Sequence, residues 1–442
     1  MSLTTPPKVR QLQRALYAKA KANPTYRFYA LYDKIYRKDV LLWAWSCCRA
    51  NGGSCGVDGQ SFVGIEAKGV EAWLDQLAKE LKERTYRPQA VRRVMIPKPD
   101  GKQRPLGIPT IKDRVTQMAA VIVLEAIFEA DLTDEQYAYR PQRSAHDAIN
   151  EVHGLLQRGY REVVDADLSS YFDTIPHHEL MKSIARRVSD GAMLALIKSW
   201  LEMAVEEDDG KGGKRRTTLN KNSGRGTPQG APISPLLANL YMRRFLLGWK
   251  QGGWESKLKA RIVNYADDFV ILCRAKAEHA RQAMEGLMKR LKLRVNQQKT
   301  RICRIPEESF DFLGYTMGWC YRARTGKAYI GTKPSKKRIT RICEKISQMT
   351  QRQWCWKETK DLVGELNLVL KGWGNYFRLG TVSKAYRAVD SHTRHRLRQW
   401  LCRKHKVRAS SRNRFWDKHL YQELGLTRLE RFSTNLPWAK AT

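Results

Sequence analysis

The sequence predicts an α+β chain. Antiparallel strands and helices interleave over the first three-quarters, and a helical, strongly basic segment follows. Three observations predict it. Val91–Ile96 reads as a strand before a turn, polar and apolar residues alternate over Val163–Leu168, and short apolar runs flank a turn between Arg261 and Cys273, as in half-buried strands. Between those runs apolar residues recur at helical spacing, which gives a helix one buried face. Composition then shifts near 325–335, beyond which Lys and Arg crowd a helical pattern.

Taken in order, residues 8–50 read as helical through Leu12, Leu16 and Tyr17, then Phe28, Leu31, Ile35 and Tyr36. Asn51-Gly52-Gly53 breaks the pattern, and Gly56-Val57-Asp58-Gly59 continues the loop. Trp73, Leu77 and Leu81 mark an amphipathic helix over 66–84. A strand over 91–96 meets the turn Pro97–Lys102, and 104–108 is its return. Helices are expected over 113–130, 177–206, 232–249 and 276–293, with a charged, Gly-rich loop over 207–226. Short strands lead to about 331, and the remainder is helical. The organisation expected is therefore an N-terminal extension (1–64), a mixed domain (65–330), a helical domain (331–400) and a short basic end (401–442).

Charge narrows the class of function. The chain of 442 residues holds 81 Lys and Arg against 44 Asp and Glu, a formal net charge of +37. Such a field attracts polyanions, and nucleic acid fits it better than a membrane surface or a ribosomal-type structural role. Nine cysteines, an odd number without a Cys-x-x-Cys pair, suggest neither a disulfide framework nor a zinc site, and reduced thiols fit a cytoplasm. The N-terminus lacks an apolar signal core, and no apolar run is long enough to span a bilayer.

Two carboxylate groups stand out. Tyr265-Ala266-Asp267-Asp268 lies between two strand-like apolar runs. Its bland reading is a polar hairpin turn; its sharper one is a site for a hard cation such as Mg²⁺. In Val163–Leu168 the residues Val164, Ala166 and Leu168 share one face, and Asp165 and Asp167 point to the other. A strand ending in Asp beside a hairpin carrying Asp-Asp is the frame that two-metal nucleotidyl transfer requires.

These blocks resemble the group II intron reverse transcriptase/maturase family. Tyr265-Ala266-Asp267-Asp268 is similar to its active-site turn, and Asp165-Ala-Asp-Leu-Ser-Ser-Tyr-Phe-Asp-Thr-Ile175 to its first catalytic block. Between them lies the long and specific Gly226-Thr-Pro-Gln-Gly-Ala-Pro-Ile-Ser-Pro-Leu-Leu-Ala-Asn-Leu240. Ile96–Pro109 and Tyr139-Arg-Pro-Gln-Arg-Ser144 resemble the finger blocks, Lys299-Thr-Arg-Ile302 and Phe312-Leu-Gly-Tyr315 later blocks, and Gly372-Trp-Gly-Asn-Tyr-Phe377 the maturase-specific thumb.

The resemblance implies a right-hand polymerase with fingers, an antiparallel-sheet palm, a helical thumb and a short basic C-terminal DNA-binding segment. Asp167 and Asp267 would ligate two Mg²⁺ ions (Mn²⁺ as a substitute), with Asp268 supporting and the Leu168 carbonyl adding an oxygen. Phe172 would be the steric gate against a 2′-hydroxyl, its bland alternative being core packing. Gln229 would line the nucleotide pocket, Lys98 and Arg104 would reach the triphosphate, and Lys299 would touch phosphate. Arg140, Arg143, Lys336, Lys337, Arg338, Trp373 and Tyr376 would contact nucleic acid, although large aromatics are more often core.

The implied partners are an RNA template, a DNA or RNA primer, dNTPs, the host intron RNA and target DNA, in a bacterial cytoplasm near the nucleoid. Ala138, Gln142 and Ala231 stand where the family has glycines, which puts fine loop geometry in question. No Cys/His cluster follows the thumb, so DNA cleavage is not expected. The alternatives are a domesticated reverse transcriptase in DNA repair or phage defence, an RNA-binding splicing factor with a vestigial polymerase, and an RNA-dependent RNA polymerase, which Phe172 opposes.

Overall fold

A computed structural model of the chain describes residues 3–97, 101, 103–209, 213–322, 325–407 and 415–433. Packing divides it into two compact units: residues 1–145, 166–271 and 276–301, and residues 146–165, 272–275 and 302–442. The expected boundary near 330 therefore falls about thirty residues late as a packing boundary, because the strands after 301 belong with the helices that follow them.

The first unit opens with α1 (Pro7–Ala22), α2 (Tyr32–Ile35) and α3 (Lys38–Asn51), so the long helical run predicted over 8–50 is three helices. Its first break is held by Asp190, whose carboxylate accepts from the amides of Leu31 and Tyr32, both at 2.7 Å. Next come α4 (Phe62–Lys68) and α5 (Val70–Lys82), parted by Gly69 at φ 96°, a conformation glycine adopts freely. Strands β1 (Val91–Pro97) and β2 (Gln103–Ile108) pair antiparallel, with Arg92 opposite Ile108. Helix α6 (Ile111–Glu129) is buried almost all round, as a central helix must be; the Thr110 hydroxyl caps it by accepting from the Asp113 amide at 3.1 Å.

The predicted helix over 177–206 is in fact α9 (His177–Ala185), α10 (Gly191–Leu201) and strand β4 (Val205–Asp208). Most of the predicted loop over 207–226 is also ordered: β5 (Lys214–Thr217) pairs antiparallel with β4, and α11 (Leu219–Ser223) follows. β4 lies parallel to β1, giving a four-stranded sheet in the order β2-β1-β4-β5. Helices α12 (Ser234–Gln251), α13 (Trp254–Lys257) and α14 (Ala277–Arg290) complete the layer. Between these stretches run α7 (Ala145–Gln157), β3 (Glu162–Asp167), the one-turn α8 (Tyr171–Thr174), β6 (Ala260–Tyr265) and β7 (Asp268–Cys273). With β8 (Arg301–Arg304) these strands form a second sheet, in the order β6-β7-β3-β8.

The second unit contains α7 and a sheet of β9 (Phe310–Phe312), β10 (Tyr315–Tyr321) and β11 (Ala328–Pro334), all antiparallel. The helices α15 (Lys336–Met349), α16 (Thr359–Tyr376) and α17 (Ser383–Lys404) follow. Their core gathers Ile346, Leu366, Tyr386, Leu397 and Trp400. Among the described residues no helix is long and apolar enough to cross a membrane.

Candidate active site

β3 delivers Asp167 at its last position. The chain beyond is pinned: the Asn296 amide donates to the Asp167 carbonyl at 2.8 Å, the Ser169 amide to the Arg294 carbonyl at 2.9 Å, and Leu168 bridges Val295. The burial along β3 alternates from Val164 on, with Val164 and Ala166 buried and Asp165 and Asp167 half-buried; Val163, on the aspartates' face, is buried as well.

Asp267 occupies the two-residue loop joining β6 to β7. Ala266 stands there at φ 60°, a left-handed conformation that a small side chain adopts at less cost than a bulky one. The Asn264 side-chain amide donates to the Ala266 carbonyl at 2.8 Å, which fixes the loop. Since β7 neighbours β3, this loop sits at the sheet end carrying Asp167.

The two carboxylates feel each other. Surrounding protein raises the Asp267 carboxyl above the usual range, and the Asp167 charge raises it further; its own amide, Arg104 and Lys299 act in the opposite direction. The Asp267 tip still reaches solvent, so this desolvation is partial. Lys299 Nζ lies 3.1 Å from Asp167 Oδ2, and Asn296 Nδ2 donates to the same oxygen at 3.1 Å. Asp268 opens β7 and is half-buried. Among the described residues no three His, Cys, Asp or Glu side chains gather tightly enough to hold an ion, so the three carboxylates expected together are represented by the coupled pair Asp167 and Asp267. Two hard carboxylates, one raised partly by the charge of the other and with cationic Lys299 3.1 Å from Asp167, are a donor set suited to divalent cations.

Beside the pair opens a cleft of about 630 Å³, whose lining includes Phe172, Gln229, Arg104 and Tyr139. Arg104 Nε donates to Gln229 Oε1 at 3.1 Å, and Gln229 Nε2 donates to Asp173 Oδ2 at 2.8 Å. Asp173 thus sets which way the Gln229 amide faces, and Gln229 in turn orients Arg104. Backbone contacts hold the cleft in shape. The Gly107 amide donates to the Gln229 carbonyl at 2.6 Å, and the Thr227 amide to the Phe172 carbonyl at 2.7 Å. Gly230, at φ 105°, passes so close that a Cβ there would lie 2.4 Å from the Gly107 oxygen.

The opposite wall is Asn51–Ser54, held by Arg114, which donates to the carbonyls of Gly52 (3.2 Å), Ser54 (2.5 Å) and Pro109 (3.1 Å). Sequence reasoning missed Asp173, Asn296 and Arg114. Gly52-Gly53 marked a loop but not what braces it. Lys98 lies outside the described residues.

The expected nucleic-acid contacts divide. Lys336, Lys337 and Arg338 are exposed on the first turn of α15. Arg140 is turned inward: it pairs with Glu129 at 2.6 Å, donates to the carbonyls of Thr133 and Gln136, and its side chain is 5% exposed, so it braces the loop after α6. Arg143 pairs with Asp134 at 2.9 Å and lies over Tyr137. Trp373 packs on the core of the second unit, and the Tyr376 hydroxyl donates to the Leu313 carbonyl at 2.8 Å. These two rings serve packing as they stand, because indole and phenol rings cover more apolar surface inside than out.

Comparison with known proteins agrees with this geometry. Residues 96–317 match the family described as reverse transcriptase (RNA-dependent DNA polymerase). Residues 339–419 match the group II intron maturase-specific domain. Protein YkfC of Escherichia coli strain K12 is 34% identical over 347 residues, 70% of this chain and 88% of that protein. The group II intron-encoded protein LtrA of Lactococcus lactis is 35% identical over 217 residues, 49% of this chain and 34% of that protein. An uncharacterized 91 kDa protein in the cob intron of Schizosaccharomyces pombe is 24% identical over 322 residues, 71% of this chain and 37% of that protein. The aligned part thus spans about a third of the length of the latter two. Between them, the coupled carboxylates at a sheet end, the braced cleft and the two domain matches define the chain as a member of the group II intron reverse transcriptase/maturase family.

Proposed function

We propose that the chain is an RNA-directed DNA polymerase that adds dNTPs to a primer 3′-hydroxyl on an RNA template and also serves its host intron RNA as a maturase. The observation that carries the polymerase reading is the Asp167–Asp267 pair beside a cleft lined by Phe172, Gln229 and Arg104. Asp167 and Asp267, with Asp268 and the Leu168 carbonyl adjoining, would hold two Mg²⁺ ions, whose chemistry is to acidify the primer hydroxyl and offset charge on the triphosphate.

The chain's own groups do the rest. Arg104, aligned by Gln229 and Asp173, presents a fixed cation to the phosphates, where charge moves during transfer. Lys299 offsets the Asp167 charge and lies within reach of a leaving phosphate. Phe172 occupies the space a 2′-hydroxyl would need. The base would be held by pairing with the template. The maturase role falls to the basic surfaces, among them the first turn of α15, where Lys336, Lys337 and Arg338 are exposed and no acidic residue stands. It needs none of the carboxylates.

The test is primer extension on an RNA template. The wild type should extend with dNTPs and stop when a chelator removes divalent ions. Phe172→Ala should raise incorporation of rNTPs by about 10- to 100-fold relative to dNTPs, the worth of a lost steric exclusion of a few kcal/mol. Sugar selectivity that is unchanged in Phe172→Ala would remove the gate.

A further inference from the structure

The nucleotide cleft does not end at its own wall. A second cavity of about 410 Å³ adjoins it, and the two share Tyr139, Pro232 and Pro235. The second cavity is open to solvent, and the side chains of Glu125 and Arg143 line it.

Glu125 is the unusual member. It lies half-buried on α6, between the apolar Val121–Leu124 and Ala126–Phe128, and its side chain makes no hydrogen bond or ion pair among the described residues. Burial, and secondarily the Glu129 charge one turn along the helix, push its carboxyl up to about 7. The charged groups around it are already committed: Arg140 to Glu129 and two carbonyls, and Arg143 to Asp134. The start of α12, which supplies Pro232 and Pro235, brings no charge to the cavity. A carboxyl left without a partner in a cavity costs free energy unless something brings donors to it.

Tyr139 is the second member. It is 51% exposed and stands at φ 54°, which a bulky side chain rarely adopts, so the surrounding fold holds its ring out against local preference. Asp267 contributes to the raised Tyr139 hydroxyl after burial, which puts the ring close to the carboxylate pair.

We propose that this cavity is a base-binding subsite for the first unpaired template nucleotide beyond the templating base, in which the Tyr139 ring meets the face of the base and the Glu125 carboxylate accepts the adjacent ring and amino N–H groups of a guanine edge. The subsite rests on the polymerase reading for its occupant. In the polymerase reading the cleft on one side of Tyr139 is filled by the incoming nucleotide and its templating base, which leaves the adjoining cavity on the other side for the next template base. An aromatic face supplies stacking to any base. The carboxylate adds preference for a base that offers two parallel donors.

The experiment is fluorescence anisotropy with four template–primer duplexes that differ only in that one unpaired base, at about pH 6 and about pH 8, either side of the Glu125 value. Binding needs no turnover, so it reports the subsite even if the chain proves unable to polymerise; extension on the same duplexes tests the polymerase reading separately. At the higher pH the wild type should bind the guanine duplex about tenfold more tightly than the uracil duplex, the worth of a charge-assisted hydrogen bond. At the lower pH the preference should shrink as the carboxylate takes up a proton. Glu125→Gln should abolish most of the preference and its pH dependence, and Tyr139→Leu should weaken all four duplexes about equally. Equal wild-type affinity for the four bases at both values, or a preference unchanged in Glu125→Gln, overturns the subsite.

Discussion

In the proposed reaction Asp173 would act on the nucleotide through its neighbour Gln229. Its carboxylate takes one Gln229 N–H and so leaves the Gln229 carbonyl facing Arg104. Replacing it with Asn removes the charge and allows the amide to face either way, so Arg104 loses a fixed position. Asp173→Asn should raise the KM for dNTP by about tenfold with a smaller change in kcat, the pattern of lost binding of the ground state. Steady-state extension over a range of dNTP concentration checks this, and an unchanged KM would leave Asp173 a structural residue only.

What could be read residue by residue depended on whether the cause was local. The Asp267 loop was legible as a hairpin turn because a polar pair between apolar runs marks one, and the face of Asp167 because strand alternation assigns it; a shared role for the two came only from the family resemblance. Arg187 was not. It is fully buried, donates to the carbonyls of Ala20, Asn23, Pro24 and Tyr26, and pairs with Asp131. Nothing near it in the chain announces that more than 160 residues of separation are closed by one guanidinium. Arg140 misled for the same reason: in a motif it looks like a surface cation, and its partner Glu129 lies on the preceding helix.

At the scale of elements, the N-terminal helices and α10 are joined by one carboxylate. Asp190 caps α10 by accepting from the Met193 amide at 3.1 Å and also accepts from Leu31 and Tyr32. Burial alone would raise this carboxyl, but the amides of Tyr32, Leu31, Met193 and Ala192 outweigh it, and the net position is below the usual range. A lowered carboxyl stabilises the fold above its unfolded value and loses that contribution as pH falls through its folded value. Asp190→Ala should therefore cost about 2–4 kcal/mol near neutrality, and the difference from wild type should shrink below about pH 4. Chemical denaturation across pH measures it; a gap that does not change with pH would mean the cost is one of packing.

Elements were legible where their pattern was long and self-contained, as in β1–β2, α6, α12 and the β6–β7 hairpin. The predicted loop over 207–226 failed because β4 and β5 are short, charged and stabilised from outside the segment. Glu206 pairs with Arg216 at 2.8 Å and Lys214 at 3.1 Å across the hairpin, and β4 completes its pairing on distant β1. Neither the cross-strand ion pairs nor the parallel neighbour produces a hydrophobic period. The split of the 177–206 helix has a related cause: the backbone of Phe28, far away, exchanges hydrogen bonds with Arg187 and Ser189, which ends α9.

At the scale of the whole chain, net charge governs association more than any single contact. With a formal charge of +37, binding to RNA should weaken steeply with salt, by about a thousandfold or more between roughly 50 and 200 mM if about six or more phosphates are neutralised. The slope should fall by about one when a single phosphate-contacting Lys of the α15 first turn is removed. A flat salt profile would mean the basic faces do not meet phosphate.

The proposed function assigns binding to the basic surface and chemistry to the carboxylates, and one substitution separates them. The most direct measurement is single-turnover primer extension by Asp267→Asn on an RNA template, with RNA affinity measured in parallel. Extension should fall by about a thousandfold or more while affinity stays within about threefold, because the variant removes an ion-holding charge and leaves the basic surface intact. Near-normal extension by Asp267→Asn would contradict the assignment of the carboxylate pair as the centre of the reaction.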